Sequence, residues 1–321
     1  MNILITGSGG FLGRNLCLKL AKKGHKILAI DNNLRGNLKK LDKNKNITKK
    51  KIDILNYNVL KKNFKKFDIV YHLAAINGTE NFYNIPDKVL ETGIIGTYNI
   101  LKLCKKFNIP KFVFASSSEV YNQPDHIPTT EEVKFLIPDV RNKRFSYSGS
   151  KIAGELLTIN LLRETKTKYL IFRPHNVIGP QMGFEHVIPQ ITKKFYKNKK
   201  QIENKKTIKL EIQGGGNTSR SFIFIDDFTD ALILSAKKLI NNEIINIGNS
   251  SEIKIKKVIE IISKFLDAKI TIKKLPLPEG GPLRRCPDIS KLRNIKFNPV
   301  FSNKKSIEKT VEWYWEYFNS N

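Results

Sequence analysis

The first 31 residues, MNILITGSGGFLGRNLCLKLAKKGHKILAID, carry the reading that decides the fold. Asn2–Thr6 (NILIT) is a short apolar run ending in glycines, Phe11–Gly24 is an amphipathic stretch, and Lys26–Asp31 (KILAID) is a second apolar run. Gly7-x-Gly9 starts a GxGxxG pattern whose last position is Leu12, so that version fails, whereas Gly7-xx-Gly10-xx-Gly13 fits throughout. Glycines let the backbone turn tightly and approach a pyrophosphate, which then rests on the N-terminus of the following helix. Asp31 stands about 20 residues on, where a carboxylate binds both ribose hydroxyls and repels a 2′-phosphate. The order strand, glycine loop, helix, strand, acid therefore predicts a dinucleotide site with NAD preferred over NADP.

The alternation continues downstream. Asp68–Leu73, Lys111–Ala115 and Tyr169–Arg173 are further short apolar runs, and Pro86–Phe107 and Tyr147–Thr165 show helical apolar spacing. Strands of four to six apolar residues alternating with helices predict an α/β fold with a parallel sheet covered on both faces. After Pro174 the strands become sporadic, helices are expected at Val187–Lys197, Asp226–Leu239, Lys254–Leu266 and Ser302–Phe318, and Pro and Gly cluster in Leu275–Pro287. The expected division is a cofactor domain, 1–175, and a smaller C-terminal α/β substrate lobe, 176–321, with part of 222–248 returning to the large sheet.

Composition limits the alternatives. The chain has 321 residues, 57 Lys plus Arg against 29 Asp plus Glu, and a formal charge of +28. Only ten of the 57 are Arg, the residue suited to bidentate recognition of phosphates and bases. The lysines are scattered in pairs and triplets such as Lys49-Lys50-Lys51, so they read as solvated surface and no nucleic-acid partner is expected. No apolar run approaches the ~18 residues that cross a bilayer, and the N-terminus lacks a secretory pattern. A cytoplasmic protein with no membrane partner is expected. Cys17, Cys104 and Cys286 form no CxxC pair, and the five His show no clustering with them. Neither a disulfide framework nor a metal site follows.

Tyr147-Ser-Gly-Ser-Lys151 places Tyr and Lys at i and i+4, on one helix face. An ammonium beside a phenol is expected to lower the phenol from its usual ~10, making phenolate available as a base. About thirty residues earlier a strand runs into Ala115-Ser-Ser-Ser-Glu-Val-Tyr121, which offers a hydroxyl to share the substrate's oxygen.

Taken with TGSGGFLG, DNNLRG, Asp53-Ile54, HLAA (His72–Ala75), SSSEVY, YSGSK, RPHNVIGP (Arg173–Pro180), TRSFIFIDD and RRCPDISK, the chain resembles the extended short-chain dehydrogenase/reductase family, in particular its nucleotide-sugar epimerase/dehydratase branch. The resemblance runs from Met1 to the end and implies a Rossmann-type doubly wound sheet. It also implies roles for residues. Gly7, Gly10, Phe11, Leu12 and Gly13 would hold the NAD pyrophosphate, Asp31 and Asn32 the adenosine ribose, and Asp53 and Ile54 the adenine edge. Leu73, Ala74, Ala75 and Pro174 would line the cofactor. Tyr147 would be the base, Lys151 its activator and a ribose ligand, and Ser117 the hydroxyl partner. Asn176 and Arg220 would contact the nucleotide-diphosphate sugar. The family pairs its two long helices in a homodimer, which is expected here.

The family chemistry oxidises the sugar to a transient 4-keto form, and three outcomes follow from it. A 4-epimerase needs only Ser, Tyr and Lys and is the leading expectation. A 4,6-dehydratase or a UDP-glucuronate decarboxylase would use Glu119, and the decarboxylase also Arg285, whose other reading is a nucleotide-phosphate ligand. From another class, a non-catalytic dinucleotide-binding regulator is countered by the intact Ser117, Tyr147 and Lys151. Departures from the family pattern are Gly93 in place of Asn, Asn77-Gly78-Thr79-Glu80 after HLAA, His175 where Phe or Tyr is usual, and Met182-Gly-Phe-Glu-His186. His186 reads either as a titrating substrate contact or as a solvated loop residue.

Overall fold

The structure, a computed structural model, describes residues 1–41, 44–239, 241–276 and 283–320. Six strands of the first half are β1 (Asn2–Thr6), β2 (Lys26–Asp31), β3 (Ile47–Lys51), β4 (Ile69–His72), β5 (Lys111–Ala115) and β6 (Lys168–Pro174). The second half contributes β7 (Val177–Ile178), β8 (Ile208–Gln213), β9 (Ser219–Ser221), β10 (Ile223–Phe224), β11 (Glu243–Ile247), β12 (Glu252–Lys254), β13 (Ile270–Leu275) and β14 (Arg284–Arg285). Seven of them form one parallel sheet in the order β11-β6-β5-β4-β1-β2-β3. Strand order reverses beside β1, which opens the crevice where such folds bind ligands.

Burial on both faces explains why the inner strands are continuous apolar runs. Ile3 and Ile5 of β1 pack with Leu16, Cys17 and Leu20 of helix Phe11–Lys22 on one face, and Leu4 packs with Val70, Phe112 and Ile100 on the other. Cys17 and Cys104 are fully buried filler. The edge strand β3 (ITKKK) has no counterpart in the sequence reading, because its lysines read as solvated surface. Lysines on an edge strand keep it from pairing with another chain. At the opposite edge, β11 pairs with β6, so residues 243–247 belong to the large sheet.

The expected helices of the second half occur at Val187–Lys197, Ile225–Lys238, Ile255–Phe265 and Asn303–Ser320. The first, third and fourth bury Ile188, Phe195, Ile259 and Tyr314 in a separate core beneath β8. Positions 277–282 of the Pro/Gly-rich run lie outside the described residues. The long helix of 86–106 contains a π turn at Thr92–Gly96, and its neighbour is helix Ser146–Leu162. No helix among the described residues is long and apolar enough to cross a membrane.

Candidate active site

The glycine loop is built against the neighbouring strand ends. Gly7 has φ +68°, and a Cβ on it would lie 2.7 Å from the Ala74 backbone nitrogen. A Cβ on Gly13 would lie 2.2 Å from the Gly7 carbonyl oxygen, so the helix can start this close to β1 only without a side chain. This is the cradle a dinucleotide diphosphate needs, with Gly10, Phe11 and Leu12 at the helix N-terminus. Asp31, nearly buried at the end of β2, accepts the Gly9 N–H at 3.0 Å and the Asn33 N–H at 2.7 Å. The acid thus shapes the loop. The Asn32 side-chain amide donates to Asp53 at 2.9 Å. Ile54 is buried against Gly96, and its carbonyl accepts from the Asn99 side-chain amide at 3.0 Å.

A hydrogen-bond chain that sequence reasoning missed ties β1 to β4. The Thr97 hydroxyl donates to the Gly93 carbonyl at 2.6 Å, so it accepts from His72 Nε2–H at 3.0 Å. His72 Nδ1 is then bare and accepts from the Thr6 hydroxyl at 2.7 Å. The Thr6 oxygen in turn accepts the N–H groups of Leu73 and Ala74, fixing the strip under the cofactor position. Burial, helped by the Lys151 charge, pushes His72 down to about 3, so the ring is neutral.

Strand β5 and helix Ser146–Leu162 bring Ser117, Tyr147 and Lys151 together. Tyr147 lies stacked on Phe82, with ring centroids 4.9 Å apart and planes at 12°. Ser117 lies close enough to its phenol to favour the phenolate. Lys151 is buried, donates to the Ala115 carbonyl at 2.7 Å, and has its Nζ 5.6 Å from the Tyr147 ring centroid. The expected lowering of the phenol is overturned for the protein alone. Burial pushes Tyr147 up to about 12, and burial pushes Lys151 down to about 7 against the pull of Glu155. Burial is the largest cause for both groups, and for Tyr147 it outweighs the opposing pull of Ser117 and Arg35.

Beside this triad lies a cluster of charges. Arg285 donates to Glu119 at 2.6 Å, and Arg144 approaches the other carboxylate oxygen at 3.8 Å. Arg285 on β14 faces Arg220 on β9 in register. Burial works against ionisation of Glu119, yet Arg285, Arg144 and Arg220 hold its carboxyl below the ordinary value. Burial and the two neighbouring arginines push Arg220 down to about 10. Asn176 joins the group by donating to the Ser221 carbonyl at 3.0 Å. Arg144, three residues before Tyr147, had no signal in the sequence because its partner Glu119 comes from another turn.

Two departures from the family pattern find physical reasons. Gly93 lies so close to helix Ser146–Leu162 that a Cβ would be 2.6 Å from the Ser150 Cβ and Oγ, so the place of a side chain is taken by Ser150. His175 is buried, its Nε2 bonded to Asn246 at 3.1 Å, and burial pushes it down to about 3. His186 is half-buried, and burial, aided by Arg35, lowers it as well. No group of His, Cys, Asp and Glu among the described residues could hold a metal ion.

Comparison with known proteins agrees with this geometry. Residues 3–248 match the model of the NAD dependent epimerase/dehydratase family. The chain is 31% identical over 329 residues to the UDP-N-acetyl-alpha-D-glucosaminuronate decarboxylase of Bacillus cytotoxicus, with 98% of each chain covered. It superimposes with a TM-score of 0.86 and 28% identity on the UDP-N-acetylglucosamine 4-epimerase of Methanobrevibacter ruminantium, covering 98% of both. The UDP-glucuronic acid 4-epimerase of Bacillus cereus, solved with UDP-glucuronic acid and NAD, gives 0.83 and 27%, covering 99% of this chain and 100% of that one. The chain uses NAD as its cofactor and is an enzyme of the NAD-dependent epimerase/dehydratase family.

Proposed function

We propose that the chain is an NAD-dependent nucleotide-sugar 4-epimerase. The observation that carries this reading is the meeting of Tyr147 with Lys151 and Ser117 in a chain whose glycine turn after β1 has no room for side chains. Tyr147 takes the proton of the sugar hydroxyl while Ser117 holds the oxygen. Lys151, anchored on the Ala115 carbonyl, keeps a positive charge under the phenol. When bound, NAD would supply the acceptor for the hydride from C4, the donor that returns it to the other face of the ketone, and in its oxidised form a positive charge that favours phenolate. Tyr147 returns the proton after the 4-keto sugar has presented its other face. Asn176 and Arg220 bind the diphosphate of the nucleotide sugar.

The Glu119–Arg285 pair favours a second reading, decarboxylation of a nucleotide-linked uronic acid. A charge pair beside the keto sugar could steady the electrons released with carbon dioxide, and the Bacillus cytotoxicus relative is named a decarboxylase. Incubation with UDP-, GDP-, dTDP- and CDP-sugars, followed by mass and stereochemistry of the product, separates the readings. An unchanged mass with a new stereoisomer is expected. Loss of water or of carbon dioxide would replace the epimerase with a dehydratase or a decarboxylase, and full turnover by Tyr147→Phe would end the mechanism.

The exposed apolar residues Leu90, Ile95, Tyr98 and Leu156 on the two long helices support a homodimer through that face. Sedimentation equilibrium tests it, and a monomer would end the idea.

A further inference from the structure

Two turns, one at Ser116 and Ser117 and the other at His175 and Asn176, are joined by a single buried chain of hydrogen bonds. From Ser116 it runs through Glu155, Arg173 and Tyr121 to Asn246, and its links beyond Glu155 measure 2.7 to 2.9 Å. Its last member is His175, 1% exposed, whose Nε2 lies 3.1 Å from Asn246 Oδ1. The Asn246 amide nitrogen donates to the Thr129 carbonyl at 3.0 Å and the Asp288 carbonyl at 3.3 Å, so the oxygen is the end that meets the ring. An amide oxygen only accepts; His175 therefore donates from Nε2 and keeps a bare Nδ1. That Nδ1 has no hydrogen-bond partner among the described residues. A buried acceptor without a partner is unfavourable, and a Phe at this place would carry none. What the histidine adds is its bond to Asn246.

The backbone around His175 is held as closely as its ring. Its N–H donates to the Ile247 carbonyl at 2.9 Å, and a Cβ on Gly248 would lie 2.9 Å from the His175 Cβ. The next residue, Asn176, turns at φ +35°, a left-handed conformation that Asn adopts more readily than most residues. Its side-chain amide donates to the Ser221 carbonyl at 3.0 Å, and its own carbonyl accepts the Ile223 N–H at 3.3 Å. Ser221 directly follows Arg220 on β9. Both residues read as diphosphate ligands, Asn176 and Arg220, are thus tied to the turn that His175 anchors.

We propose that His175 is a positioning residue for the nucleotide sugar: through its bond to Asn246 it sets the turn that presents Asn176, and with it Arg220, to the diphosphate. The proposal rests on the nucleotide-sugar reading. It makes the grip on the diphosphate depend on the same buried chain that holds the turn of Ser117, so the two ends of the substrate are aligned by one connected set of side chains.

The test uses the NAD-loaded protein. It measures binding of UDP, GDP, dTDP and CDP by calorimetry, and release of NAD into an excess of labelled NAD. His175→Phe fills the place of the ring and removes the donor. It is expected to weaken the tightest of the four diphosphates about tenfold, the size of one hydrogen bond, and to leave NAD release as in the wild type. His175→Gln offers an amide N–H in place of Nε2–H and is expected to recover most of the loss.

A loss that His175→Gln does not recover overturns the proposal, because the bond to Asn246 is then not what matters. Faster NAD release in His175→Phe overturns it too, since that marks a general loosening of the site. A wild type that binds none of the four diphosphates sinks the nucleotide-sugar reading and this proposal with it, whereas wild-type binding left unchanged in His175→Phe sinks this proposal alone. Melting temperatures check that each variant folds. Should His175→Phe not fold, His175→Asn takes its place: it is polar but too short to reach Asn246, so the same tenfold loss is expected, and normal binding would equally end the proposal.

Discussion

Glu155 and Arg173, 18 residues apart in the chain, meet as a two-pronged ion pair in which Arg173 Nε and Nη2 donate to the two carboxylate oxygens at 2.9 and 2.7 Å. Both side chains are buried, at 3% and 2% exposure. Arg173 also donates to the Tyr121 hydroxyl and the Glu131 carbonyl, both at 2.8 Å, and Tyr121 passes the chain on to Asn246 at 2.8 Å. On the other side Glu155 accepts from Ser116, next to Ser117. The network thus holds the turn at Ser116 and Ser117 to β6 and to the edge strand β11.

Breaking this pair strands a buried charge. Glu155→Leu is expected to cost about 3–5 kcal/mol of stability, seen as a lower urea midpoint, while the double change Glu155→Leu with Arg173→Met recovers a large part of it. Recovery in the double variant distinguishes the charge from the volume of the side chains. No recovery would mean that the hydrogen bonds to Tyr121 and Glu131 matter more.

Gly93→Ala is expected to cost about 1–3 kcal/mol, because the new Cβ would meet Ser150 at 2.6 Å in a packed helix contact. Ser150→Gly in the same chain removes the obstacle and is expected to restore part of the loss. Thermal unfolding of the two single variants and the double variant measures the coupling. Additive losses would show that the two positions do not touch.

Lys151 has its folded pKa depressed from the ordinary 10.5 to about 7, by burial first and against the pull of Glu155. Between these values the unfolded chain binds the extra proton, so stability is expected to rise as pH rises from about 7 toward 10.5. Other groups titrate in that range, and the informative quantity is the difference from Lys151→Met, whose slope is expected to be smaller. Equal slopes for the two proteins would show a solvated lysine.

His72 and His175 are both pushed by burial from the ordinary 6.5 down to about 3. The unfolded chain takes up protons there that the folded chain refuses, so stability is expected to fall as pH drops below about 6.5 toward 3. His72→Gln is expected to flatten part of that fall in a denaturant series across the range. An unchanged profile would place the acid sensitivity on the carboxylates.

Much of the fold was legible because its signals are local. The inner strands are short apolar runs, Gly7-xx-Gly10-xx-Gly13 sits between the first two of them, and Tyr147 and Lys151 share a helix face by spacing alone. The edge strand β3 was not legible, since three lysines in an edge strand look the same as three lysines in a loop. The return of part of 222–248 to the large sheet was expected, but not the place of β11 beside β6, a pairing that joins residues more than seventy positions apart.

What the sequence by itself determined is the parallel α/β architecture, the glycine turn after β1 and the shared helix face of Tyr147 and Lys151, since backbone turns and helical spacing are properties of neighbouring residues. The charge of +28 proved uninformative for the site, whose cations are a few placed arginines and Lys151 and not the scattered surface lysines. Only the tertiary structure decided which side chains meet. Thr6 and His72 are 66 residues apart, Glu119 and Arg285 are 166 apart, and Arg35 reaches Glu185 across the cleft. It also decided the sign of the Tyr147 and Lys151 shifts, because burial is a property of the packed chain and is the largest cause of both.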